Sequence, residues 1–172
     1  RPVGGYLKPI LLKKIDKSLD RFDIRLLQCL QENARLTHAE LAPMVHLSPT
    51  ACAPRLRRVL EGGVVRRYRV ELDRGLLGFD ALVIVRITLE RQSEECLRAF
   101  EKAVVRCSSV LSCYLMSGSA DYLMTIAVRN VGDYERVHND ELSRLPHVAR
   151  LESSFALREV VNRDLVLRAI AP

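Results

Sequence analysis

The chain has 172 residues, 48% of them hydrophobic, with 27 Lys and Arg against 21 Asp and Glu. That length holds one domain or two small ones, the apolar content excludes a disordered tail, and no apolar run approaches the roughly 18 residues of a membrane helix. The net charge of +6 is uneven: residues 1–79 carry 15 cations against 8 anions and residues 80–172 carry 12 against 13, so a basic half suited to nucleic acid is joined to a neutral one.

Residues 1–17 mix glycine, proline and lysine (Lys8, Lys13, Lys14, Lys17) around Ile10-Leu11-Leu12 and read as an N-terminal arm or short helix, expected to be solvated in preference to touching phosphates. A helix-turn-helix unit is expected over residues 18–64. From Ser18 or Asp20 to about Asn33, the residues Phe22, Ile24, Leu26, Leu27, Cys29 and Leu30 recur at helical spacing. Thr37-His38-Ala39-Glu40 is a capping box that opens a short helix through Leu41 and Val45. His46-Leu47 is the turn. Ser48 then caps a third helix with Pro49 at its first position, where the missing N–H sacrifices no bond, and Gly62 or Gly63 supplies the stop.

In this third helix Cys52, Leu56, Val59 and Leu60 form an apolar back, while Thr50, Ala51, Pro54, Arg57 and Arg58 form the opposite, cationic front. Arginines near a helix C-terminus are favoured by the dipole whatever the function. The preceding short helix and tight turn point beyond that, to a helix placed for a DNA major groove. Pro54 implies either a late helix start, near Thr50 or Ala51, or a kink.

Residues 65–80 are expected to be a strand and a hinge: Val64 to Val70 is rich in β-formers and carries Arg67 and Arg69 on one face, either as a wing or as the lead into the next domain, and Asp73 to Gly78 has two glycines. From residue 81 to 172 the pattern is strand (82–89), helix (Ser93 to Cys107), strand (Val110 to Met116), strand (Tyr122 to Val128), helix (Val131 to Leu145, on Val131, Tyr134, His138, Leu142 and Leu145), strand (Val148 to Leu157). This β-α-β-β-α-β order is the ferredoxin-like split motif, an antiparallel sheet with both helices on one face. The other face also carries apolar residues and needs a partner, most economically a second copy of the chain.

The five cysteines (Cys29, Cys52, Cys96, Cys107, Cys113) are odd in number, lack a C-x-x-C pair and lie mostly on apolar stripes, so buried free thiols in a cytoplasmic protein are expected in place of a zinc site or disulfide framework. The first ten residues hold no apolar core ahead of a small-residue cleavage site, and no signal peptide is expected. No nucleophile–base pair or metal-ligand spacing appears, so no catalytic residue, cofactor or metal is expected.

Several stretches together resemble the Lrp/AsnC (feast/famine) family of transcription regulators over about Leu19 to Arg163. They are Leu19-Asp20-Arg21-Phe22-Asp23 in the opening helix, Leu47-Ser48-Pro49-Thr50, Cys52 and Arg55-Leu56-Arg57-Arg58 in the recognition helix, Ser117-Gly118-Ser119-Ala120-Asp121-Tyr122 in the effector loop, and Leu145-Pro146-His147-Val148. The resemblance implies an α+β protein with a winged helix-turn-helix domain joined to a ferredoxin-like, ACT-like (RAM) domain. It further implies double-stranded DNA as partner, at pseudo-palindromic promoter sites, and homodimers that assemble to an octamer. A small effector, an amino acid or similar, binds between dimers.

Arg57 and Arg58 with Thr50, beside the cap Ser48, are then expected at base edges or phosphates, and Arg55, Arg66, Arg67 and Arg69 at phosphates. Gly118, Ser119, Ala120 and Tyr122 would cradle the effector, Asp121 would accept from its ammonium, and Ser153 and Ser154 would close the pocket. From the residues alone, Gly118 also reads as a hairpin glycine with positive φ, and Asp121 as a tie within its own loop. Ser119 stands where many members carry an acidic residue, a departure that bears on which effector fits. Two rivals share the architecture: an enzyme resembling the haem-pathway sirohaem decarboxylases, which would draw on His138 and His147, and an amino-acid-sensing assembly protein that has lost DNA binding.

Overall fold

The computed structural model describes residues 19–163; the arm over 1–17, Ser18 and the end of the second domain beyond residue 163 lie outside the described residues. The chain divides into two compact units, with the division between Val70 and Glu71.

Three helices build the first unit: α1 (Arg21–Glu32), α2 (His38–Met44) and α3 (Pro49–Glu61). Each start is fixed locally. Asp20 caps α1, accepting from the amides of Phe22 (2.9 Å) and Asp23 (3.0 Å), and Asp23 returns a bond to the Asp20 amide. Thr37 and Glu40 form the reciprocal box at α2. Ser48 caps α3 by accepting from the Ala51 amide at 3.2 Å. Between α2 and α3 the backbone reverses through His46, at φ 56°, a left-handed conformation that a side chain adopts at a cost. Gly62 ends α3 in the right-handed region, and Gly63 (φ 76°) supplies the left-handed stop.

The amphipathic stripes meet as their spacing requires. Leu26, Cys29 and Leu30 of α1, Leu41, Ala42 and Val45 of the α2 segment, and Cys52 and Leu56 of α3 form one buried cluster. Ile24, Leu27 and Val59 form another, against which Leu19, Val64 and Val65 pack. The expected strand over Val64 to Val70 is absent: residues 65–73 have no regular structure. Val64 and Val65 pack onto the helices, and among the described residues no segment supplies the ladder that a strand needs.

The second unit opens on a hydrogen-bonded turn where an open hinge was expected. Asp73 accepts from the Leu76 amide at 3.0 Å, Phe79 N–H donates to the Arg74 carbonyl at 2.8 Å, and Gly78 sits at φ 77°. Four antiparallel strands follow, β1 (Ala81–Leu89), β2 (Val110–Leu115), β3 (Tyr122–Val128) and β4 (Val148–Ala156), in the order β2-β3-β1-β4. The helices are α4 (Glu94–Val104) and α5 (Val131–Asp140). Val83, Val85, Ile87 and Leu89 alternate inward from β1 and join Met124, Ile126 and Val128 of β3 beneath Phe100, Val104, Val137 and Leu142. The α5 helix stops earlier than its expected end at Leu145, and a 3-10 turn covers Leu142–Arg144. Its end is held by Glu141, whose carboxylate accepts from the Ser109 amide (3.3 Å) and hydroxyl (2.9 Å) ahead of β2. Val131, expected on the apolar stripe, is exposed; Val137 takes the buried position, and His138 is half-buried.

The sheet's opposite face is mixed. Leu82, Ile84, Leu123 and Ala127 are half-buried there, beside the Ser112–Thr125 hydroxyl pair, and Tyr114 is 58% exposed. All five cysteines are free, three of them buried. Among the described residues no helix is long and apolar enough to cross a membrane.

Two predictions follow from this packing. Pro54 lies inside a continuous α3 that begins at Pro49, so the late start is excluded; its ring leaves the Thr50 carbonyl without a helical donor. Pro54→Ala is expected to stabilise the first unit by about 2 kcal/mol, the helix-interior penalty of ~3 kcal/mol less the entropy that proline removes from the unfolded chain, read from the urea midpoint of the helical circular dichroism. Burial, with Glu101 and Cys107 nearby, raises the Cys113 thiol from 9.0 to about 11. At pH 8 its thiolate fraction is about a hundredth of an ordinary thiol's, and peptide-resolved alkylation is expected to label it correspondingly slowly in the folded chain and at the normal rate in denaturant.

Candidate DNA-reading helix and effector loop

The start of α3 is open to solvent. Ser48, Pro49 and Thr50 are exposed, and the Ser48 and Thr50 hydroxyls share a hydrogen bond at 3.0 Å. Pro54 and Arg57 are exposed on the same helix. Among the described residues Arg57 has no carboxylate partner, and neither do Arg66, Arg67 and Arg69 in the exposed coil that follows.

The other two α3 arginines are already engaged. Arg58 Nη2 lies 2.5 Å from Asp23 Oδ2, and Arg55 Nη1 lies 3.2 Å from Asp23 Oδ1 and 2.5 Å from Asp20 Oδ2. Asp23 is fully buried, 0% exposed. Removing one partner from a buried pair costs about 3–5 kcal/mol, because the charge left behind has no solvent. Burial works to raise the Asp20 carboxyl, but the Arg55 bond and the amides of Asp23 and Phe22 outweigh it and hold the group below its ordinary value. Arg55 is raised in turn, chiefly by its bond to Asp20. The guanidinium of Arg55 also lies over the Phe22 ring at 5.3 Å. The expectation that Arg55 and Arg58 point at DNA therefore needs correcting in geometry: both turn toward α1, with the Arg58 side chain still 47% exposed.

The β2–β3 connection, Ser117 to Ala120, protrudes from the sheet and is exposed from Ser117 to Ser119. Met116 N–H donates to the Asp121 carbonyl (2.8 Å), and Asp121 N–H to the Ile87 carbonyl (2.8 Å). The amides of Ser117, Gly118, Ser119 and Ala120 donate to no group among the described residues. Gly118 lacks a positive φ and has nothing within 4 Å of where a Cβ would stand, so the hairpin-glycine reading is excluded. Openness distinguishes this position.

Three expected effector residues are placed differently. Asp121 is 6% exposed, and its carboxylate accepts from the Leu89 amide and from Gln92 Nε2, both at 2.7 Å. It ties the loop to the end of β1. Tyr122 is 2% exposed; its ring packs on Phe100 at 4.4 Å and its hydroxyl donates to Glu101 Oε1 at 3.0 Å. Burial, then the Glu101 carboxylate, pushes that phenol well above its usual range. Tyr122 belongs to the core. Ser154 stands opposite Ile84 on the open face, whereas Ser153, opposite Val85, faces the helices and bonds to the Tyr134 hydroxyl. Asp121 meets β1 at Ile87, three positions along, so within one chain Ser154 and the Gly118 loop do not meet.

Comparison with known proteins matches both units. An AsnC-type helix-turn-helix model covers residues 19–59, and a model of the Lrp/AsnC ligand-binding domain covers residues 82–166. The leucine-responsive regulatory protein of Haemophilus influenzae is 36% identical over 155 residues, 90% of this chain and 93% of its own. An uncharacterised helix-turn-helix transcriptional regulator of Sinorhizobium fredii is 44% identical over 117 residues, 68% of this chain and 92% of its own. A transcriptional regulator of Neisseria meningitidis, solved as its L-methionine complex, superposes with a TM-score of 0.83 at 32% identity, covering 88% of this chain and 99% of that one.

Sequence reasoning missed Asp23 and Gln92 as site-building residues. The signal for Asp23 was present: a carboxylate inside an apolar stripe, one residue before Ile24 and four before Leu27. The loop chemistry makes a paired prediction. Asp121→Ala leaves the Leu89 amide and Gln92 without an acceptor and is expected to destabilise the second unit by about 2–4 kcal/mol. Gly118→Ala, with open space and ordinary backbone, is expected to change stability by less than about 0.5 kcal/mol. Thermal unfolding of the two variants checks both.

Proposed function

The chain belongs to the Lrp/AsnC family of transcriptional regulators, with a helix-turn-helix DNA-binding domain and a ligand-binding domain, and from that membership we propose how its residues divide the work. Thr50 and Arg57, with the exposed Pro54, enter the major groove and read base edges, and Ser48 sets the start of the reading helix. Arg66, Arg67 and Arg69 hold phosphates, which position the protein without reading sequence. The observation that carries this reading is the division among the α3 arginines: Arg57 is free to meet DNA, while Arg55 and Arg58 are held by α1.

The effector is an amino acid or a similar small zwitterion. Its carboxylate is received by the unpartnered amides of Ser117 to Ala120, and Asp121 contributes chiefly by shaping the loop. The L-methionine complex of the Neisseria regulator supports that ligand class. The apolar part of the open sheet face, Leu82, Ile84, Leu123 and Tyr114, pairs two copies of the chain; the dimer presents two α3 helices to a pseudo-palindromic promoter, and dimers assemble to an octamer. Ser154, on that face and away from its own Gly118 loop, completes a pocket only across copies. The effector acts by its differential affinity for one assembly.

The regulator works in the cytoplasm and is not an enzyme. Family membership supports this, as do the settings of the two histidines the enzyme reading would need: His138 lies beside Asn139 and the Tyr134 ring, and His147, at φ 60°, lies 4.0 Å from Glu90 on the surface.

The test joins light scattering to a mobility-shift assay on DNA upstream of the chain's own gene, at several salt concentrations, with and without a panel of amino acids. One amino acid is expected to shift both assembly mass and DNA affinity, and Gly118→Ala to alter that response. Arg57→Ala is expected to reduce preference for the cognate site by about 10–100-fold, the equivalent of ~1–3 kcal/mol. Replacing Arg66, Arg67 and Arg69 together by glutamine is expected to weaken binding to every sequence and to lower the salt slope by about 3. No binding at low salt overturns the reading in favour of a protein that senses amino acids without DNA.

A further inference from the structure

We infer that Asp23 is a positioning residue for DNA reading: through Arg58 and Arg55 it fixes the roll of α3 on α1 and so aims Arg57 and Thr50. The inference rests on the reading of α3 as the DNA-contacting helix. Asp23 is the one fully buried charged side chain among the described residues of its unit, and it belongs to a helix that on this reading touches no base. Its two oxygens are divided. Oδ2 meets Arg58 Nη2 at 2.5 Å and the Asp20 amide at 3.1 Å, and Oδ1 meets Arg55 Nη1 at 3.2 Å. Arg55 and Arg58 are three residues apart and so share one side of α3. Two guanidinium groups, each placing one nitrogen on a different oxygen of the same carboxylate, specify a rotation as well as a distance. The apolar stripe of Cys52, Leu56 and Val59 sets which side of α3 faces inward, but its contacts are individually non-directional and fix the roll only coarsely.

Roll is the variable that matters for reading. On a helix about 10–12 Å across with its side chains, a roll of 20° carries a side-chain tip by about 2 Å, more than a hydrogen bond to a base edge tolerates. The clamp also takes two of the three α3 arginines away from nonspecific phosphate contact. A helix held in this way discriminates; a helix with three free arginines binds any duplex.

The experiment uses the full chain as wild type, Asp23→Asn, Arg58→Gln and the double variant. Each is titrated with DNA carrying the chain's own site and with unrelated DNA of equal length, over a series of salt concentrations. Asp23→Asn is expected to lower the preference for the cognate site at least 10-fold without lowering affinity for unrelated DNA. Arg58→Gln is expected to do the same with an unchanged salt slope, and the double variant to be no worse than either single one. An unchanged preference in Asp23→Asn overturns the inference, as does an equal fall on both DNAs, which is what a simple loss of folded protein produces. A salt slope lowered by about one in Arg58→Gln overturns it too, because Arg58 then holds a phosphate. If Asp23→Asn fails to fold by circular dichroism, Arg58→Gln decides, since Arg55 and the Asp20 amide still partner Asp23 in that variant and the Arg58 side chain is half-exposed. A wild-type chain without preference for its own site overturns the underlying reading of α3, and is told apart because it appears before any substitution.

Discussion

A carboxylate taken out of water needs donors of defined geometry, and this need organises both units. Two charged side chains are buried among the described residues, Asp23 and Asp121. Each stands where a functional element meets its scaffold. Asp23 joins the recognition helix to α1, and Asp121 joins the β2–β3 loop to the end of β1. An apolar residue at either place would pack as well and specify less, because hydrophobic contact has no direction. The directional contact is the one that decides where a neighbouring side chain points, and on the proposed reading the neighbour at both places is a residue that meets a ligand.

This constraint separates what was legible in the sequence from what was not. Helix starts were legible because their causes are local: Asp20, Thr37 and Ser48 each cap within three residues, and Glu40 answers Thr37 from the next turn. The β-α-β-β-α-β order was legible because alternation along Val83, Val85, Ile87 and Leu89 and the helical stripe of Cys96, Phe100 and Val104 are properties of single segments. The partners of Arg55 and Arg58 lie 32 and 35 residues away, and no spacing rule reaches that far. A cationic helix front therefore looked uniform when it was already divided into a free arginine and two held ones.

The remaining differences have the same origin. Val64 to Val70 has the composition of a strand, but a strand is a relation between two segments, and among the described residues none pairs with it, while Val64 and Val65 pack against helices. Tyr122 and Asp121 sit inside a stretch that resembles an effector loop, yet β3 begins at Tyr122, so alternation turns its ring into the core. Resemblance of a stretch transfers a place in the chain; the register of the strand decides which side of the sheet each member of the stretch faces. Gly118, by contrast, has neither a positive φ to adopt nor a close neighbour to clear.

The two anchors differ in a way that fits what each element must do. Asp23 is held by two arginines, one on each of its oxygens, and the element it anchors is a helix whose use, on the proposed reading, depends on angle. Asp121 is held by one backbone amide and one neutral side-chain amide, and the element it anchors is a short loop with free backbone donors on its outer side. An anchor of that kind fixes the base of the loop and leaves the backbone amides of its tip open to solvent. On the proposed reading, sequence discrimination is thus built from a rigid ion network and effector response from a pinned but compliant loop. On the same reading Ser119, exposed at the tip of that loop, bears on the chemistry offered to the effector and not on the base held by Asp121.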